Sequence, residues 1–97
     1  MTDLMFLVSR PDAGPTLAAL MRACRRRGVS WACFFTNAGV RVLLDRGVVG
    51  QLGCASRAVA CEYSWERHMG HSQCPVELGS QTGNSALAAE SAKIISL

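Results

Sequence analysis

At 97 residues the chain has room for one domain with a thin core, since a domain of this size buries only about 60–70% of its unfolded surface. Hydrophobic residues make up 49% and charged residues 18%, which excludes a disordered polyelectrolyte and leaves apolar surface for subunit association. The net charge of +3 is mild, and three of the ten basic residues sit together as Arg25-Arg26-Arg27 without interleaved aromatics. That pattern suits a solvated helix end better than a nucleic-acid surface.

The amino-terminal apolar run is Leu4-Met5-Phe6-Leu7-Val8. It is too short for a membrane span or signal core and is bounded by Ser9-Arg10-Pro11, which predicts a strand buried on both faces. Pro11 to Pro15 reads as a loop, with Pro15 suited to a first helical turn. From Thr16, Leu17, Leu20, Met21 and Cys24 recur at helical spacing, and Gly28 stops the helix. Val29 to Phe35 is a second strand, with Cys33 in the core.

Thr36 to Gly39 reads as a turn, and Val40 to Leu44 as a short helix closed by Asp45-Arg46-Gly47. Val48 to Leu52 fits a half-turn or a second small helix, and Cys54 falls in the loop before the next strand. That strand is Arg57 to Cys61. Glu62 to Gln73 is polar and carries His68, His71 and, just beyond, Cys74. Gly79 to Asn84 is loop-like, with Asn84 capping a short helix through Glu90. Ala92 to Leu97 closes the chain as a strand. The alternation predicts a single α/β domain over residues 1–97 with a mostly parallel sheet of four to five strands.

Five cysteines with no secretory signal suggest a reducing, cytoplasmic setting in which thiols stay free. Three constellations could carry chemistry. Cys61 ends a strand, where ligands and reactive groups collect in open α/β sheets, and a following helix amino terminus would favour its thiolate. Arg67 or His68 would stabilise that thiolate if the next segment folds back, and Cys74 is a second candidate thiol. A thiolate of this kind can take up a sulfane sulfur and pass it on by exchange.

Cys61, His68, His71 and Cys74 are also acceptable zinc ligands by type, although the usual paired-cysteine spacing is absent. No glycine fingerprint or P-loop supports a nucleotide cofactor.

Phe34-Phe35-Thr36-Asn37-Ala38-Gly39-Val40 resembles the phenylalanine-rich strand and following turn of the DsrE/DsrF-like sulfur-relay family, whose members include TusD-like sulfurtransferase subunits. The chain length, the cysteine ending the next strand and the closing helix and strand (Asn84 to Leu97) are similar too. The resemblance implies a small flavodoxin-like three-layer fold and homo-oligomers such as trimers or hexamers. It also implies sulfur transfer from a donor protein to an acceptor protein through a persulfide on Cys61, without cofactor or metal. The segment Glu62 to Gln73 is polar and aromatic where that family is often alanine-rich. The reading that competes with it is a non-catalytic oligomer subunit or a small zinc module built on His68, His71 and Cys74. Neither nucleic acid nor membrane is an expected partner.

Overall fold

The structure, a computed structural model, describes all 97 residues. Its centre is β2 (Trp31–Phe35), in which every residue is buried. Around it runs a five-stranded, all-parallel sheet made with β1 (Thr2–Val8), β3 (Arg57–Cys61), β4 (Glu77–Gly79) and β5 (Ser91–Ser96). The strand order is β4-β3-β2-β1-β5. Continuous apolar sequence marks β1 and β2 because both faces of each strand are covered.

The helices cover the two faces unequally. α1 (Gly14–Arg27), the 3₁₀ segment Asn37–Leu44, the single turn α2 (Arg46–Val49) and α3 (Glu62–Met69) follow β1, β2 and β3. Parallel crossovers are right-handed almost without exception. Three successive steps in one direction across the sheet therefore put these elements on one face. There Leu17, Met21, Val40, Val48 and Trp65 pack on Phe6, Val8, Trp31, Phe35 and Ala60. The next connection runs back past the whole sheet to β5, so α4 (Gln81–Ala89) lies on the other face. Its Leu87 packs with Met5, Ala32, Phe34, Val59 and Cys61. The result is the three-layer α/β domain with a parallel sheet that the sequence predicts.

Several boundaries differ from the sequence expectations. α1 begins at Gly14, two residues early, with Pro15 in its first turn. Asp45 closes the preceding segment as expected, its N–H bonding the Val42 carbonyl, and also opens a helix: its side chain accepts the Gly47 N–H at 2.8 Å and caps α2. The preceding segment is 3₁₀ in form and starts at Asn37. α4 starts at Gln81, so Asn84 lies inside it and donates from Nδ2 to Gln81 Oε1 at 3.3 Å instead of serving as cap. Glu62 to Met69, open in the sequence, is helical, and β4 has no counterpart among the expected strands.

Gly39 shows how tightly the first face is closed. A Cβ there would overlap the Val8 carbonyl and lie 2.8 Å from Ser9 Cα, both parts of the main chain at the carboxyl end of β1. Gly53, by contrast, has open space around it and an ordinary φ. Gly39→Ala is expected to cost about 1–3 kcal/mol through overpacking against backbone. Gly53→Ala should stay within about 0.5 kcal/mol. Urea denaturation of the two variants checks the contrast, and equal midpoints would contradict it.

Candidate functional site

In open α/β sheets, ligand crevices form outside the carboxyl ends of two neighbouring strands whose outgoing connections pass to opposite faces. Here that condition is met between β3, which leads into α3 on one face, and β4, which leads into α4 on the other. The two strands end side by side, with Cys61 in register with Gly79. Cys61 therefore occupies the topological switch point.

Cys61 is both the last residue of β3 and the N-cap residue of α3. Alternation along the strand turns Val59 and Cys61 towards α4 and Ala60 towards α3. Only 6% of Cys61 is exposed, and aliphatic and aromatic side chains back it. Tyr63 and Gln81, both exposed, are among the residues whose polar groups act on it. Cys61 makes no side-chain cap hydrogen bond by strict geometry. Donors nevertheless surround the sulfur, and they act on its charged form.

Burial pushes the Cys61 thiol pKa up. The Ser64 hydroxyl, the Ser64 and Tyr63 backbone N–H groups and the Gln81 side chain together outweigh it and hold the pKa below the ordinary thiol value. Two of these N–H groups belong to the first turn of α3, where the helix dipole also favours an anion.

A second layer of contacts fixes the donors. Ser64 is buried, and its Oγ accepts the Asn37 N–H at 2.9 Å, which leaves the hydroxyl hydrogen for another acceptor. Asn37 has φ +52°, the single positive φ outside glycine, a conformation that asparagine tolerates better than most residues. Gln81 Nε2 donates to Thr36 Oγ1 at 3.4 Å, and Gln81 Oε1 accepts from Asn84. The first turn of α3 and the start of α4 thus supply the donors at the sulfur, and residues following β2 hold them.

The other sequence-predicted residues lie elsewhere. Arg67 and His68 fall in the last turn of α3, roughly 9 Å along the axis from Cys61, and neither is among the groups that shift its pKa. Hydrogen-bond donors take the place assigned to a cation. Cys74 packs against the α1–α3 core, across the sheet from Cys61, so the two thiols are not brought together. Burial raises the Cys74 pKa, and the Val76 N–H only partly offsets this.

Cys74 lines a cleft of about 570 Å³ beside α3, with Glu62, Trp65, Glu66 and His71 among its neighbours. No group of three or more His, Cys, Asp or Glu side chains converges there or elsewhere, so His68, His71 and Cys74 do not assemble a ligand set. All five cysteines are free. Burial, then the Asp3 charge, raises the Cys24 pKa; burial, then Cys24, drives that of Cys33 far up, as for core thiols.

Ser64 was within reach of sequence reasoning: Cys61-x-x-Ser64 is the N-cap to N3 spacing, at which a cap side chain meets the N3 N–H. Gln81 was not, because it arrives from across the sheet through β4.

No protein-family model matches the chain, and no curated protein sequence matches it. No helix is long and apolar enough to cross a membrane.

Ser64→Ala removes one donor from Cys61 and strands the Asn37 N–H. The midpoint of the pH profile for Cys61 alkylation should therefore rise. Because the native thiolate is favoured at lower pH, the variant should react more slowly near neutrality and converge with wild type well above pH ~9. Iodoacetamide kinetics followed by peptide mass spectrometry read this directly, and an unchanged midpoint would remove Ser64 from the site.

Proposed function

We propose that the protein is a sulfur carrier that accepts a sulfane sulfur on Cys61 as a persulfide and delivers it to a partner thiol, as DsrE-like sulfur-relay proteins do. The observation that carries this reading is a thiol of lowered pKa at the topological switch point, backed by apolar side chains and faced by N–H and O–H donors. Such a set of donors stabilises a sulfur anion without a metal or an acid–base residue.

In the loading step the Cys61 thiolate attacks the outer sulfur of a donor persulfide, R–S–SH. A new S–S bond forms at Sγ, the donor S–S bond breaks, and its electron pair leaves on R–S⁻. In the delivery step an acceptor thiolate attacks the outer sulfur of Cys61–S–SH and releases Cys61 as thiolate. Each step exchanges one S–S bond for another, so no external oxidant or reductant is consumed. The donors that favour the Cys61 thiolate also make it a good leaving group in delivery.

The proposal includes a cytoplasmic setting, in which all five thiols stay reduced, and self-association through exposed apolar side chains such as Leu44, Tyr63 and Leu78. Incubation with a persulfide donor followed by intact-mass measurement should add about 32 Da per sulfur carried. Cys61→Ser should abolish that gain with the far-UV circular dichroism unchanged, whereas Cys74→Ser should retain it. Full loading of Cys61→Ser would dismiss the proposal.

A further inference from the structure

α1 runs from the carboxyl end of β1 back to the amino end of β2, so its last turns lie at the opposite edge of the sheet from Cys61. There Arg22, Arg25 and Arg26 alone line a concavity of about 360 Å³. Their spacings of three and four residues place the guanidinium groups on one helix face, where like charges destabilise one another. The two ion pairs of the chain, Arg10–Asp12 and Arg57–Glu77, involve none of them.

Complementing the helix dipole does not account for the cluster. The final turn holds Arg25, Arg26 and Arg27, and Arg22 lies before it. The carbonyls of Cys24 and Arg25 are already taken by the N–H groups of Val29 and Gly28. One arginine of the three is also held from below. Gln51, 93% buried, anchors its Nε2 on the Ala18 carbonyl at 3.1 Å and the Gly47 carbonyl at 3.4 Å. Its Oε1 is thereby turned out to accept from Arg25 Nη1 at 3.5 Å. A buried amide with both ends committed presents that guanidinium to the concavity.

We infer that Arg22, Arg25 and Arg26 form a binding site for a multiply charged phosphate oxyanion, which would relieve their mutual repulsion and accept their forked N–H groups in pairs. A compact ligand with two adjoining phosphates matches three convergent guanidinium groups better than one exposed phosphodiester of charge −1. The site is independent of Cys61 and of sulfur transfer.

The test is calorimetric titration of the full chain with inorganic pyrophosphate, beside the double variants R22Q/R26Q and R41Q/K93Q. Both variants remove two positive charges, and Arg41 and Lys93 are exposed and outside the concavity. Wild type and R41Q/K93Q should bind with matching constants and rise in Tm with ligand. R22Q/R26Q should bind at least about tenfold more weakly with a ligand-free Tm no lower than wild type, since Gln is as good a helix former as Arg and the repulsion is relieved. A single-stranded oligonucleotide that binds more tightly than pyrophosphate, with the same loss in R22Q/R26Q, would keep the site and assign its phosphate to nucleic acid. Equal weakening in both variants, or no heat and no Tm shift with wild type, would overturn the inference.

Discussion

The arrangement of the molecule follows from one reversal of direction. Three consecutive crossovers step the same way across the sheet, and the fourth returns past all of them to place β5 beside β1. Because crossover handedness is fixed, that return carries α4 to the bare face and closes the second layer over Met5, Phe34 and Val59. The same reversal splays α3 and α4 apart at the carboxyl ends of β3 and β4. In the common flavodoxin strand order, 2-1-3-4-5, the outlying strand comes second and the crevice opens beside β1. Here the outlying strand comes last, and the crevice moves to the far side of the sheet, where the chain has put a cysteine.

What happens to that cysteine is decided by two opposed effects. Burial disfavours the thiolate, as it does at Cys24, Cys33 and Cys74, where it leads and the pKa rises. Cys61 is as well covered as Cys24 by its neighbours. Its pKa nevertheless moves the other way, because the end of β3 is also the start of α3 and supplies N–H groups that have no carbonyl partners. A strand end that is directly a helix cap, with no loop between, is what turns a core thiol into an ionisable one. Ser64 and Gln81 reinforce this, and Asn37 and Thr36 hold those two in place.

The parts of the fold that were legible in sequence are those whose signal is local. β1, β2 and β3 appear as apolar runs because they are covered on both sides, and α1 appears through its periodicity and Gly28, which has φ +66° at the helix end. β4 was invisible because three residues, two of them exposed, form a strand only by borrowing the backbone of β3. α3 was ambiguous because its helical face is short: Ser64 and Trp65 are its only buried side chains. The position of Cys61 at a strand end was legible, whereas its partners were misassigned. Arg67 and His68 attract attention as basic neighbours in sequence, yet six and seven residues of helix carry them away from the sulfur. The groups that do reach it are backbone N–H groups, Ser64, whose only signal is its N3 spacing from Cys61, and Gln81, which has none.

The thiols also bear on stability with opposite signs. Cys61, whose pKa is lowered on folding, contributes stability that is fully present above the unfolded thiol pKa of ~8.5 and is lost as pH falls through its folded value. Cys24, Cys33 and Cys74, whose pKa values are raised, contribute nothing extra below that pKa, and folding loses ground as pH climbs above it and the unfolded chain alone ionises. Three thiols against one, with Cys33 shifted furthest, make the balance unfavourable at alkaline pH. At neutral pH Cys24, Cys33 and Cys74 remain protonated in the same fold that favours ionisation at Cys61. Selectivity among the four covered thiols therefore rests on which of them faces the free N–H groups of a helix start, and the reversal after β4 leaves that position to Cys61.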